Sequence, residues 1–190
     1  MNRRDFLVTS SSALSISGLL GRNAQTSSQI SCLECDVTII GGGVGGIAAA
    51  IAALRNGLKV VMTEETDWVG GQLTQQAVPP DEHQWIEEYG CTETYRHFRD
   101  SVRNYYKTWY RLTPSARSAG QFNPGNCGVS NICHEPKVAL SVLESMLAGD
   151  VSAGNLRVFL NTVPIAANMN GDSVASVLVQ NCVSGNRTEI

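Results

Sequence analysis

The sequence predicts an α/β chain, a parallel sheet covered by helices, and a few adjoining observations carry that prediction. Val37-Thr38-Ile39-Ile40 is a β-branched apolar run that leads directly into a glycine-rich stretch, Gly41 to Gly46. A small-residue segment of helical character, 47–56, follows, and a second apolar run, Val60-Val61-Met62, then closes on Glu64. Strand, glycine loop, helix, strand and acid is the order of a βαβ unit that grips a dinucleotide.

Each part of that unit has a physical task. Gly41 permits the tight turn out of the strand, Gly43 lets the backbone approach a pyrophosphate, and Gly46 lets the helix lie close to the sheet. Val44, Gly45 and Gly46 lead into the helix, whose start offers unpaired N–H groups and the positive end of its dipole to phosphate. The alanines from Ala48 to Ala53 favour helix, and Gly57 ends it. Glu64 is placed to accept hydrogen bonds from a ribose, with Glu65 beside it, and an acid there disfavours a 2′-phosphate. A Rossmann-like nucleotide-binding domain is therefore expected. A nicotinamide dehydrogenase would share these features, and that is the rival reading.

Later segments extend the same fold. Leu156 to Thr162 reads as the third parallel strand, and Val163 follows it near the expected adenine position. Val174 to Gln180, a turn at 181–186 and a return strand from Arg187 make a small β-meander. The last residues read as an unfinished hairpin, so the chain is expected to be an incomplete fragment of a longer protein.

The other end reads as a targeting segment. Asn2-Arg3-Arg4-Asp5-Phe6-Leu7 is similar to a twin-arginine export signal, followed by a mildly apolar, serine-rich stretch to Leu20. That stretch is too short and polar for a membrane span, which needs ~20 mostly apolar residues. The expected partner is the twin-arginine export machinery, and the expected destination is the periplasm or cell envelope. With 17 acidic against 14 basic residues there is no strong basic field, which argues against nucleic acid.

Past the second strand, Thr66-Asp67-Trp68-Val69-Gly70-Gly71-Gln72-Leu73-Thr74 places a glycine pair soon after the ribose acid. Glycines there let the backbone pass close to a ligand. This segment with its continuation Gln75-Gln76-Ala77-Val78-Pro79-Pro80-Asp81-Glu82-His83, together with Asn123-Pro124-Gly125-Asn126-Cys127 and Cys133-His134-Glu135-Pro136, resembles a family of bacterial FAD-dependent oxidoreductases related to the flavin subunit of heterodisulfide reductase. The resemblance covers roughly residues 36–190. It implies FAD as cofactor, with Gly41, Gly43 and Gly46 at its pyrophosphate, Glu64 at its adenosine ribose, and Gly70, Gly71, Gln72 and Thr74 towards the flavin. It also implies a small-molecule substrate and a separate electron acceptor, neither of which it names. A 4Fe-4S cluster occurs among such relatives, but no C-x₂-C-x₂-C run supports one here.

The domain plan is a signal and linker at 1–28, a nucleotide domain from 36–78 and 137–190, and an inserted, mostly helical cap at 79–136. Within the cap, Thr92 or Thr94 caps a helix reaching about Arg111, with Tyr95, Phe98, Val102, Tyr105 or Tyr106 and Trp109 on its apolar face. Arg96, Arg99, Arg103, Lys107 and Arg111 form a basic stripe, read as a solvated face in preference to a substrate-facing one. Glu135 and Pro136 open a further helix over 138–147. His83 and His134 are the candidates for proton transfer, with ordinary pKa values near ~6.5. Six cysteines allow 15 pairings, which spacing cannot choose between. Cys35, just before the first strand, is read as a structural residue or half of a local disulfide, and no metal-ligand set is read. The reading is an FAD-dependent oxidoreductase portion, with a nicotinamide enzyme or a non-catalytic truncated flavoprotein as alternatives.

Overall fold

The computed structural model describes residues 31–190, so the twin-arginine segment read at 1–28 lies outside the described residues. The described chain opens on a short strand, Ser31–Cys32 (β1), and then enters the expected βαβ unit. Strand β2 (Val37–Ile40) leads into helix α1 (Val44–Arg55), which returns the chain to β3 (Val60–Thr63). Helix α1 starts at Val44, earlier than the alanine run suggested, because Gly43 is its N-cap and its carbonyl accepts from the Ile47 N–H at 2.9 Å. Gly57, at φ +77°, turns the chain out of the helix.

Strand β3 is the middle of a parallel sheet ordered β2-β3-β4, where β4 is Leu156–Phe159. All four residues of β3 are buried, which explains an apolar run without polar alternation. The crossover into β4 is helix α4 (Pro136–Ala153), with Pro136 in its first turn and Gly154 at φ +77° at its end. It is longer than the 138–147 expected, running on to Ala153 before the left-handed Gly154 ends it.

The third parallel strand was expected to run to Thr162, and it does not. It ends at Phe159, Asn161 takes a left-handed conformation at φ +52°, and Thr162 starts a separate sheet. That break swings the chain across the end of β3, where Thr162 N–H donates to Glu64 O at 2.8 Å. The second sheet has the order β1-β7-β6-β5, with β5 at Thr162–Asn170, β6 at Ser173–Asn181 and β7 at Arg187–Glu189. The return strand read as an unfinished hairpin is paired on both sides: Thr188 lies opposite Val179 of β6 and Ser31 of β1.

Residues 79–136 hold helix α2 (Glu93–Trp109) and a short helix α3 (Pro114–Ser118). Of the two threonines considered as caps, Thr92 is used; its Oγ1 accepts from the Tyr95 N–H at 3.2 Å. Phe98, Val102 and Tyr106 of α2 join Ile47, Val60, Met62, Val138, Leu143 and Leu156 in one buried cluster. Trp109, placed on the apolar face by its spacing, is 74% exposed.

The basic stripe is the clearest departure from expectation. Arg99 is completely buried and Arg103 nearly so. Arg99 is paired with both Glu82 and Glu87, and Arg103 shares Glu87, with Nη1 at 3.1 Å from Oε2. Burial pushes the Glu87 carboxyl up, but hydrogen bonds and charge from Arg103 and Arg99 outweigh it and hold the group below the usual carboxylate range. Segment 79–91 folds back over α2 and supplies these carboxylates, so this part of the stripe is a buried clamp and not a solvated face. Arg96 caps the Ile86 carbonyl at 3.0 Å, while Arg111 stays exposed.

Cys127 and Cys133 form a disulfide, their Cα atoms 5.9 Å apart. Asn123 stitches the same loop: its Nδ2 donates to Ser130 O at 2.9 Å, and its Oδ1 accepts from Cys133 N–H at 2.9 Å. Cys35 is free, with Sγ at 3.2 Å from Thr38 Oγ1, so the local-disulfide alternative does not hold. Among the described residues no helix is long and apolar enough to cross a membrane.

Candidate functional site

Strands β2 and β3 end side by side, and the site is built where they stop. Gly41 N–H donates to Thr63 O at 3.1 Å, and the chain then turns through φ +103° at Gly41, a conformation that glycine adopts without cost. A Cβ on Gly41 or Gly43 would meet nothing within 4 Å, so the backbone faces open space there. A Cβ on Gly46 would lie 1.9 Å from Gly41 O, so at that point α1 touches the turn. The first N–H groups of α1, at Val44, Gly45 and Gly46, precede the first bond of the helix and remain for a ligand.

A second glycine turn closes against the first. Gly70 N–H donates to Gly42 O at 2.8 Å, and a Cβ on Gly71 would sit 3.2 Å from Gly43 Cα. Both glycines have positive φ, +108° and +49°. Thr74 fixes the turn: it is fully buried and its hydroxyl donates to Val69 O at 2.7 Å. Its side chain is therefore committed to the protein, whereas the sequence reading aimed it at a cofactor. Gln72 similarly donates its amide to Pro79 O at 3.4 Å.

Glu64 stands between the two loops. Oε2 accepts from Gly42 N–H at 3.0 Å, and Oε1 accepts from Thr66 N–H at 2.9 Å and from Thr66 Oγ1 at 2.8 Å. The carboxylate thus braces the first glycine loop and carries a negative charge beside it.

These groups enclose a cavity of about 280 Å³. Of the residues singled out from the sequence, Gly41, Gly43, Glu64, Glu65, Gly71 and Val163 line it together. Gly45 and Gly46 belong to the adjoining first turn of α1, while Val44 lines a separate, mostly apolar cavity of about 310 Å³. Gly70 is buried behind the second turn. The cavity also takes in Gln75, Gln76, Thr162 and Pro164, which sequence reasoning did not single out. Gln75 and Gln76 lay in the segment that carries the family resemblance, without a role of their own, and Thr162 and Pro164 had only their position after the third strand as a signal.

The two histidines are not brought together, and neither lines this cavity. His83 is exposed in the 79–91 segment, near the stacked rings of Trp85 and Tyr89, and its Nδ1 accepts from Trp85 N–H at 3.2 Å. His134 is half-buried, edge-on to Phe98, with Nδ1 at 2.7 Å from Ile132 O. Burial pushes its pKa below the ordinary value, against hydrogen bonds to the Ile132 and Leu73 backbone and the charge of Glu82.

A family model described as FAD dependent oxidoreductase matches residues 36–189. The chain belongs to that family. Membership decides for FAD over the nicotinamide reading, which the glycine loop and Glu64 alone left open. A curated relative of this flavoprotein chain, sarcosine oxidase subunit alpha of Corynebacterium sp. (strain U-96), is 29% identical over 181 residues. That match covers 80% of this chain and 19% of the relative, so the chain spans about a fifth of the relative's length. Among solved structures, the Mycobacterium smegmatis Sdh1 complex in its apo form aligns with a TM-score of 0.51 at 17% identity, over 84% of this chain and 33% of that one. L-proline dehydrogenase from P. horikoshii aligns with a TM-score of 0.46 at 20% identity, over 85% of this chain and 22% of that one.

The residues present fit FAD. The open space over Gly41 and Gly43 is a cradle that a Cβ would fill, and it adjoins the N-terminus of α1, as an approaching diphosphate requires. Glu64 and Glu65 line the same cavity and suit a ribose with free hydroxyls better than a phosphorylated one.

Proposed function

We propose that this chain is the FAD-binding portion of an oxidoreductase that takes a hydride or electron pair from a small-molecule substrate and passes the electrons to a separate acceptor. The observation that carries the reading is the pair of glycine turns, held together by Gly70 N–H to Gly42 O at 2.8 Å, around one cavity. FAD supplies the redox chemistry when bound. The chain's own residues position it: Gly41 and Gly43 admit the diphosphate, α1 offers its first N–H groups, and Glu64 stiffens the loop and faces the ribose.

Within the family we place the chain near the flavin subunit of heterodisulfide reductase, on the strength of the segments at 72–83 and 123–136. We also propose export by the twin-arginine route to the periplasm or cell envelope. The Arg3-Arg4 pair followed by Phe6-Leu7 and a serine-rich apolar stretch supports that, and the route suits a protein that takes its cofactor in the cytosol. Of the two histidines, we favour His134 for proton transfer, because its ring is half-buried, edge-on to Phe98. His83, exposed at a loop, is the weaker one.

The test is an absorption spectrum of the purified chain with and without added FAD. Flavin bands near 450 nm that stay with the protein through gel filtration establish the cofactor. A colourless protein that also takes up NAD would overturn the reading. A chain that holds FAD but is not reduced by any candidate donor favours the non-catalytic alternative.

A further inference from the structure

The cavity between the two glycine turns is suited to an anion yet has no Lys or Arg in its lining. A diphosphate bound there has to be satisfied by neutral donors. The backbone N–H groups at the start of α1 supply some of them. Of the cavity's other polar side chains, Glu65 is an acceptor, Thr63 is buried in β3, and the rest are already committed. Glu64 is an acceptor with both oxygens engaged, Thr66 Oγ1 donates to Glu64 at 2.8 Å, and Thr162 Oγ1 donates to Leu160 O at 2.8 Å. Gln75 and Gln76 are different. Both line the cavity, both are exposed, and each amide carries a pair of N–H donors.

Their backbone is held firmly. Gln76 N–H donates to Gly71 O at 3.1 Å, Ala77 N–H donates to Thr74 O at 3.0 Å, and Ala77 sits at φ +54° to close the turn. Thr74, buried below, locks the turn to Val69. Two amides are thus presented on a fixed turn beside Gly71, where even a Cβ would lie 3.2 Å from Gly43 Cα.

We infer that Gln75 and Gln76 are the side-chain donors to the diphosphate of the bound flavin dinucleotide, standing where a basic residue would otherwise be. The inference rests on the FAD reading above. Neutral donors avoid a salt bridge between a cation and the neighbouring Glu64 and Glu65, which would pull a Lys or Arg away from the ligand.

Calorimetric titration of the full chain with FAD, ADP-ribose and AMP tests it, using Gln75→Leu, Gln76→Leu, the double variant and Gln76→Glu. Each Leu variant is expected to weaken FAD and ADP-ribose about tenfold, and the double variant about a hundredfold, the loss of one and two hydrogen bonds to a charged acceptor. AMP, which lacks the diphosphate, should change by less than about twofold. Gln76→Glu should weaken the diphosphate ligands further and make binding salt-dependent. Unchanged FAD affinity in the double variant overturns the inference and leaves FAD binding itself intact. Equal losses for AMP and FAD overturn it by moving the contact to the adenosine. A wild-type chain that binds neither FAD nor ADP-ribose overturns the cofactor reading and the inference together. Both positions are exposed, so thermal melts of the variants should match wild type, and a variant that melts early is replaced by Gln→Ser at the same position.

Discussion

Gly46 lies so close to Gly41 that a Cβ on Gly46 would come 1.9 Å from the Gly41 carbonyl oxygen. The obstacle is backbone, so it cannot rotate away. The helix would have to lift off the strand, and Gly46→Ala is expected to cost about 3 kcal/mol or more in folding stability, the upper part of the overpacking range. Gly43→Ala makes the opposite case, since a Cβ there meets nothing within 4 Å and the backbone is ordinary extended chain. In urea unfolding, Gly43→Ala should cost no more than about 1 kcal/mol, the loss of a glycine N-cap. FAD affinity should nevertheless fall at least tenfold, because the methyl fills the cradle. If both substitutions act alike on stability, the assignment of helix packing to one glycine and ligand approach to the other is wrong.

Arg99 gives a second contrast within a single stripe. It is fully buried between Glu82 and Glu87, and Arg99→Met leaves Glu82 buried without its cation. The expected loss is about 3–5 kcal/mol, the penalty for an uncompensated buried charge. Arg111→Ala, at an exposed position of the same stripe, should change stability by no more than about 0.5 kcal/mol. Adding Glu82→Gln to Arg99→Met should recover part of the loss. Equal effects at Arg99 and Arg111 in guanidinium unfolding would show that the stripe is uniformly solvated after all.

The stripe also shows where sequence reading reaches its limit. The glycine turns were legible because backbone geometry demands glycine at Gly41, Gly46 and Gly70, whatever surrounds them. Strand β3 was legible because burial on both faces leaves an unbroken apolar run, and α2 because Thr92 and the Phe98–Val102–Tyr106 spacing are local signals. Arg99 was not, since its partners come from a loop that folds back over the helix and spacing along α2 says nothing of that loop. The break at Asn161 was missed for a related reason: Leu156 to Thr162 is continuous as a β pattern, and one left-handed residue divides it. The pairing of β7 with β1 joins opposite ends of the described chain, which no local pattern encodes. Gln75 and Gln76 carry no periodic or charge signal; they lie in the segment that carries the family resemblance, but only the enclosed cavity gives them a place at the site.

Asn123 and the Cys127–Cys133 disulfide hold one loop by two independent means. Cross-linking so short a loop contributes about 2 kcal/mol by the chain-entropy account. Asn123 makes three bonds across it, to Cys127 O, Ser130 O and Cys133 N–H, which together contribute about 2–3 kcal/mol. Reduction with a phosphine should therefore lower the melting temperature without unfolding the chain. Reduction of Asn123→Ala should be more damaging than the sum of the two changes, since the loop is then held chiefly by Gly125 N–H to Cys133 O at 2.7 Å and by buried Ile132. Strict additivity in the double-perturbation cycle would show that the two devices act on separate parts of the loop.

His134 sets a pH dependence whose direction follows from its surroundings. Burial against Phe98 disfavours the imidazolium and lowers the folded-state pKa below the unfolded value of about 6.5, outweighing the Ile132 and Leu73 carbonyls and the charge of Glu82. At a pH below about 6.5 the unfolded chain takes up a proton at this position that the folded chain resists. Unfolding is then favoured by acid, so the contribution is complete above that pH and is lost as pH falls through it. The urea midpoint should drop between pH 7 and pH 5.5, before Glu87, whose folded pKa is held below the carboxylate range, begins to lose its own contribution at more acid pH. In His134→Gln, which keeps a donor for Ile132 O and does not titrate, that drop should flatten, while the acid limb set by Glu87 remains. A midpoint that rises on acidification would show that the His134 ring is charged in the folded protein and tied to Glu82 more strongly than burial opposes it, and a slope unchanged in His134→Gln would show that His134 binds its proton equally in the folded and unfolded chains.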